Sequence, residues 1–235
     1  MLTLDSRTHI AAVLFDMDGV VADNTHFHQT AWVVYAREAL GIALDPEAPK
    51  YFHGRNREIV ARLLGRPLSA PEAELHNEGK EARYRDLARG QMRPVAGLTD
   101  YLDWLDHLDL PKALVTNSDP VCMAFVLEEL GLAGRFAVMV NADDVTHAKP
   151  HPEPYLKAAG FLGIDPKDCV VVEDAPAGIR AGKAAGARVI GFPTTSPKTE
   201  LQAAGADWIV ANCASIRLCG ERGDGSTLTL ELRQG

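Results

Sequence analysis

The sequence predicts an α/β protein: a parallel sheet covered by helices on both faces, interrupted after its first strand by an inserted all-helical unit. Three observations lead there. Short unbroken apolar runs such as IAAVLF, KALV and CVVV read as strands buried on both sides. From about residue 94 these runs alternate with helical patterns, as parallel strands joined by crossovers must. Between residues 25 and 93 there is no β-rich run, and charge is spread over helical spacings.

Taken in order, the first strand is IAAVLF, and two acidic residues, Asp16 and Asp18, follow it at once. A helical pattern begins near Thr25, with Phe27, Ala31, Val34, Ala36 and Leu40 recurring at helical spacing up to a stop at Gly41. REIVARLL and APEAELHNEGKEARYRDLARG supply two more helices of the insert, and RPVAG leads out of it. The alternation then runs LTDYLDWLDHL, KALVT, VCMAFVLEEL, FAVMV, PYLKAAGFL, CVVVE, AGIRAGKAAG, ARVIGF and DWIV. Near the end, TLTLEL alternates like a half-buried strand after a Gly-rich turn and is expected at an edge of the sheet.

The totals exclude several classes. With 46% apolar and 24% charged residues in 235, the chain can bury a large core, and no apolar run approaches the roughly 18 to 20 residues of a membrane span. The first ten residues carry no export or organelle signal, so the cytoplasm is the expected location. Four cysteines without a C-x-x-C pair are expected as reduced thiols, with no structural zinc. A net charge of −8 argues against nucleic acid or an anionic membrane as partner, so an anionic ligand needs a local positive site.

In open α/β sheets ligands bind beyond the carboxyl ends of the strands. There the chain places Asp16 and Asp18, then Thr116, Asn117 and Ser118, then Lys149, then Glu173 and Asp174. Residues two apart on an extended chain point the same way, so the first two aspartates share one side of the cleft. Four gathered carboxylates repel, at roughly 4 kcal/mol for a pair 4 Å apart at an effective dielectric near 20, which calls for a hard cation such as Mg²⁺. Thr116 and the backbone N–H groups of Asn117 and Ser118, where a loop enters a helix, together with Lys149, suit phosphate. One carboxylate can then attack phosphorus while a second, protonated, serves the leaving oxygen.

Each feature also has a plainer reading. Asp16 and Asp18 could be solvated acids of a turn, TNSDP is good helix-capping chemistry, Lys149 could be an exposed loop lysine, and Glu173 or Asp174 could cap the next helix. His26 and His28, two apart on a helix, do not face one site and make a poor zinc pair. Trp32, Tyr35, Tyr101 and Trp104 fall on helical spacings that suit packing.

The order DMDGV, TNS, a lysine before proline, and VVEDAPAGIRAGKAAGA resembles the haloacid dehalogenase-like superfamily of phosphohydrolases and phosphomutases, over roughly residues 10 to 210. That resemblance implies a Rossmann-like three-layer core (1–24 and 94–235) with an inserted all-helical cap domain (25–93). It implies Asp16 as the nucleophile that becomes an aspartyl phosphate and Asp18 as general acid/base, its carbonyl also on the metal. Thr116, Asn117 and Lys149 would hold the phosphoryl group, and Asp16, Asp174 and Glu173 would hold Mg²⁺.

The insert resembles the cap of the subgroup containing β-phosphoglucomutase and sugar-phosphate phosphatases. His28 falls at its hinge histidine, Arg57 at its substrate-phosphate arginine, and Lys80 at a cap lysine, with Ser118 beside the substrate. Asp119 stands where the mutase pattern has a basic residue. The expected activity is therefore Mg²⁺-dependent hydrolysis of a small phosphorylated metabolite, a sugar phosphate, by a monomer or weak homodimer. The alternatives are a phosphomutase and, more remotely, a non-catalytic phospho-aspartate switch.

Overall fold

The computed structural model describes residues 2–3, 10–46, 54–219 and 229–232. After β1 (Leu2–Thr3), the chain enters β2 (Ala12–Phe15), all four residues of which are buried. Three helices follow: α1 (Thr25–Tyr35), prolonged to Leu40 by a wider turn that stops at Gly41, α2 (Asn56–Leu64) and α3 (Ala70–Ala88). Ser69 opens α3 in reciprocal hydrogen bonds with Glu72, so the polar stretch begins where its capping chemistry places it. Trp32, Tyr35, Ile59 and Val60 form a small core of this unit, while Tyr84 and Ala88 of α3 join the main core.

Beyond the insert come α4 (Leu98–His107), β3 (Lys112–Val115), α5 (Pro120–Glu129), β4 (Val138–Val140), α6 (Glu153–Leu162), β5 (Cys169–Glu173), α7 (Pro176–Ala184), β6 (Arg188–Gly191), α8 (Lys198–Ala203) and β7 (Trp208–Ile209). The six strands β4-β3-β2-β5-β6-β7 form one parallel sheet in that order. Because side chains alternate across a strand, Val13, Phe15, Val170 and Val172 meet α4 and α5 on one face, and Leu14 and Val171 meet α6 and α7 on the other. Two-sided burial is what made these strands unbroken apolar runs. Cys122, Cys169 and Cys213 are buried free thiols within these layers.

The chain builds outward from β2 to β3 and β4, then returns to lay β5 on the other side of β2. This switch point opens a crevice at the carboxyl ends of β3, β2 and β5, where Thr116, Asp16 and Glu173 lie.

The C-terminal strand differs from expectation. Strands β8 (Ile216–Cys219) and β9 (Thr229–Leu232) pair antiparallel, and β9 also pairs with β1, giving a separate three-stranded sheet with β9 at its centre. Its partners are β8, the nearest strand in sequence, and β1, the first, so neither belongs to the parallel sheet. Among the described residues no helix is long and apolar enough to cross a membrane.

Candidate active site

Asp16 is the first residue past β2, its N–H still donating to Val172 O at 2.9 Å, so the sheet itself fixes its backbone. Lys149 Nζ donates to Asp16 Oδ1 at 2.5 Å, to Glu173 Oε1 at 2.7 Å and to Val115 O at 2.8 Å. Its side chain is 4% exposed, which removes the plain reading of a loop lysine. The loop that carries it is tied to Asn117 Oδ1 at 3.2 Å and held by Glu153, which accepts the N–H groups of Thr146 and His147. Tyr155 donates to Glu173 Oε1 at 2.6 Å.

Carboxylate oxygens of Asp16, Glu173 and Asp174 all lie within 4.8 Å of one another. Burial, and then the charge of Glu173, push Asp16 up to about 7 against the pull of Lys149. Burial and the charges of Asp16 and Glu173 raise Asp174 well above the usual carboxylate range. Around Asp174 the bonded side chains are hydroxyls, Thr195 and Thr194, rather than a cation. This all-oxygen set with too little positive charge fits a hard divalent cation.

Two glycines leave room for the cluster. A Cβ at Gly178 would fall inside the Glu173 carboxylate, and one at Gly19, whose φ is +78°, would fall on that of Asp174.

Asp18 has different company. It accepts from Asn24 Nδ2 at 2.6 Å and from Ser118 Oγ at 3.2 Å, and His28 Nε2 lies 3.5 Å away. Burial would raise its pKa, but the nearby charge of His28, hydrogen bonds from His28 and Asn24, and the charge of Lys80 outweigh it and bring the carboxyl down to about 2. His28 stacks on Tyr84 at 3.8 Å between ring centroids and pairs through Nδ1 with Lys80 Nζ at 2.6 Å. Lys80 is buried and also bonds Glu81 at 2.9 Å. The inserted helices thus supply two of the four groups named around Asp18, His28 and Lys80.

Thr116 is buried, and its Oγ1 accepts the N–H of Ser118 at 3.0 Å, so that donor is already used. Asp119 caps α5 by accepting from Cys122 N–H at 2.8 Å. Its other oxygen accepts from Asn77 of α3 at 2.9 Å, a bond from the helical unit to the core. Glu173 Oε2 accepts the N–H groups of Asp174 and Ala175, so it also closes the turn into α7. Arg57 is exposed and lines the same cleft. The cleft, about 750 Å³, lies between the helical unit and the strand ends.

Sequence reasoning missed Asn24, Tyr84, Tyr155, Thr194 and Thr195. Asn24, just ahead of α1, looks like a helix cap, yet its side chain makes no capping bond and serves Asp18 instead. Thr194 and Thr195 follow β6 and were within reach of the same strand-end rule that found the others. Tyr155 carries no sequence signal, since its partner Glu173 lies 18 residues on and across the fold.

Comparison with known proteins agrees. Residues 10–186 match the haloacid dehalogenase-like hydrolase family. The chain is 31% identical to N-acetylmuramic acid 6-phosphate phosphatase of Pseudomonas aeruginosa over 87% of its length and 92% of that protein. It is 34% identical to hexitol phosphatase A of Escherichia coli over 79% of its length and 85% of that protein. The crystal structure of a HAD hydrolase of family IA, variant 3, from Entamoeba histolytica superposes with a TM-score of 0.81 at 27% identity, covering 88% of this chain and 96% of that one.

Proposed function

The chain belongs to the haloacid dehalogenase-like hydrolase family, and from that premise we propose that Asp16 takes the phosphoryl group of a sugar phosphate and yields it to water. The protein is a phosphatase of small phosphorylated metabolites. The observation that carries the proposal is the placing of Lys149, which bonds both Asp16 and Glu173 from beneath the crevice. It fixes one oxygen of Asp16 in place, so the carboxylate need not be ordered when phosphorus arrives.

Asp18, two residues on, is an anion held by Asn24 and Ser118. In that state it is set to take a proton from water as the water attacks phosphorus and the acyl phosphate on Asp16 is hydrolysed, freeing the Asp16 carboxylate; to give a proton to the leaving oxygen of the substrate ester in the first transfer it must first be protonated, which a loosened His28 contact favours. Thr116 and Asn117 line the crevice beside Asp16, where a phosphoryl oxygen needs donors. His28 and Lys80 orient Asp18 from the helical unit, and that unit, lying over the strand ends, keeps bulk water from the ester.

Asp16, Glu173 and Asp174, with the carbonyl of Asp18, would hold Mg²⁺. When bound it supplies positive charge that offsets the gathered carboxylates and the phosphoryl oxygens.

The test is release of inorganic phosphate from a panel of sugar phosphates and an aryl phosphate at fixed Mg²⁺, with rapid-quench labelling of Asp16. Asp16→Asn is expected to lose turnover by about 10³-fold or more and to carry no label. An Asp16→Asn protein with undiminished aryl phosphatase activity would sink the proposal. Conversion of β-glucose 1-phosphate to glucose 6-phosphate with little free phosphate would replace it by the mutase reading.

A further inference from the structure

Away from the cleft, the stretch HAKPHPE brings three metal-ligating side chains to one place. A ring nitrogen of His147, a ring nitrogen of His151 and a carboxylate oxygen of Glu153 all lie within 4.8 Å of one another. His147 Nδ1 is 3.0 Å from Glu153 Oε2, and His151 Nδ1 is 3.9 Å from the same oxygen. The two imidazoles are 4.6 Å apart between centroids, with 33° between their planes. None of the three residues lines the cleft, and both histidines are exposed, so an ion can reach them from solvent.

The backbone beneath them is already tied. Glu153 accepts the N–H groups of Thr146 and His147 at 2.8 and 2.9 Å, and the His151 N–H donates to Ala148 O at 2.9 Å, closing the turn that carries Lys149. Pro150 and Pro152 restrict φ on either side of His151. His151 Nδ1 accepts the Glu153 N–H at 3.2 Å, so this nitrogen presents its lone pair to the cluster and the ring proton sits on Nε2. An ion would replace that long bond and leave the Glu153 N–H, at the open end of α6, to water.

The spacing suits a small ion. Ligand atoms about 2.0–2.1 Å from a tetrahedral centre are about 3.4 Å from one another, and the observed 3.0 and 3.9 Å bracket that value. Two imidazoles and a carboxylate suit zinc, nickel or copper, whereas magnesium prefers oxygen alone. The other cluster of this kind among the described residues, Asp16, Glu173 and Asp174, is all oxygen. The two clusters therefore select different ions.

We propose that His147, His151 and Glu153 form a second cation site, for a divalent ion of the zinc class, on the outer side of the turn that carries Lys149. Three protein ligands leave a fourth position to water. Lys149 reaches inward to Asp16 and Glu173, while His147 and His151 stand before and after it on the exposed side. An ion joining the two histidines clasps both ends of that turn.

The test titrates the metal-free, full-length chain with Zn²⁺ in excess Mg²⁺ against a chromophoric chelator. Wild type is expected to take up one Zn²⁺ that Mg²⁺ does not displace, with a Kd of about 10 µM or tighter. His147→Gln and His151→Gln should each weaken it by about tenfold or more, since losing even an outer-shell partner of a metal costs about 10–100-fold. The double variant should lose it. Hydrogen exchange on the wild type locates the ion without any substitution: amides of residues 146–151 should slow when Zn²⁺ is added.

Binding weaker than that Kd overturns the proposal. So does zinc that Mg²⁺ displaces, or that the double variant holds as tightly as wild type, for such an ion sits among the aspartates of the cleft. Unchanged exchange over residues 146–151 on the zinc-loaded wild type overturns it as well, whatever the variants do.

Discussion

Replacing Gly178 by alanine sets two effects of opposite sign against each other. Gly178 lies inside α7, where alanine alone is favoured by roughly 1 kcal/mol over glycine. Its new Cβ, however, would occupy the space of the Glu173 carboxylate, itself 1% exposed and bonded to Lys149 and Tyr155. Glu173 must move, and hydrogen bonds to a charged group are worth about 1.5–3 kcal/mol each. Losing most of two such bonds and regaining the helix term leaves a net destabilisation on the order of 2–4 kcal/mol. For a chain of this size that is a fall of about 5–15 °C in Tm, read by calorimetry with Mg²⁺ present. Gly160, inside α6 with nothing near its Cβ position, is the control, and Gly160→Ala should gain about 0.5–1 kcal/mol. If Gly178→Ala proves as stable as wild type, the close approach of α7 to Glu173 is wrong, and so is the case for a crowded carboxylate cluster.

Three further outcomes follow from single contacts. Tyr84→Phe removes the hydroxyl that accepts from Asn24 at 2.6 Å while keeping the ring against His28; steady-state kinetics should show kcat down about threefold to tenfold with little change in KM. Ser69→Ala deletes the cap of α3 and should cost about 1 kcal/mol in urea unfolding. Hydrogen bonds from Arg66, then from the Ser69 backbone and hydroxyl, hold Glu72 down to about 2. A depressed carboxyl stabilises the fold above its unfolded value near 4.5, and that part is lost as pH falls toward 2. The urea midpoint should therefore drop across this window less steeply in Glu72→Gln than in wild type, and equal slopes would refute the assignment.

Most of the sheet was legible because its central strands are buried on both faces, and such strands have a one-dimensional signature. The strand-end rule then found Asp16, Thr116 and Glu173 without any knowledge of what they touch. It could not tell whether Lys149 was useful. Its partners lie 133 residues before and 24 residues after it, and nothing local separates a buried lysine that bonds Asp16 and Glu173 from an exposed one. Asn24 was hidden for a different reason: its position signals a cap, and the side chain turned to a carboxylate instead. The C-terminal strand was recognisable as a strand from its alternation, but alternation says which face is buried and not which neighbour is paired. That choice was made by β8 and by β1, which is only two residues long.

Asp16 and Asp18 are the same residue type, two positions apart, and the fold drives them in opposite directions, one up to about 7 and the other down to about 2. Asp16 shares its surroundings with Glu173 and Asp174, carried by the sheet; Asp18 is ringed by His28 and Lys80 of the insert, by Asn24 just ahead of α1 and by Ser118 of the core. The difference between the two aspartates is therefore built in part by the helical unit, through His28 and Lys80. Any movement of α1 or α3 away from the crevice must weaken the His28 and Lys80 influence on Asp18 and let burial raise it, while leaving the Lys149 bond to Asp16 untouched. A sheet alone could present two carboxylates. Setting their pKa values this far apart takes groups from the insert, His28 and Lys80, on the side of the pair that the insert covers.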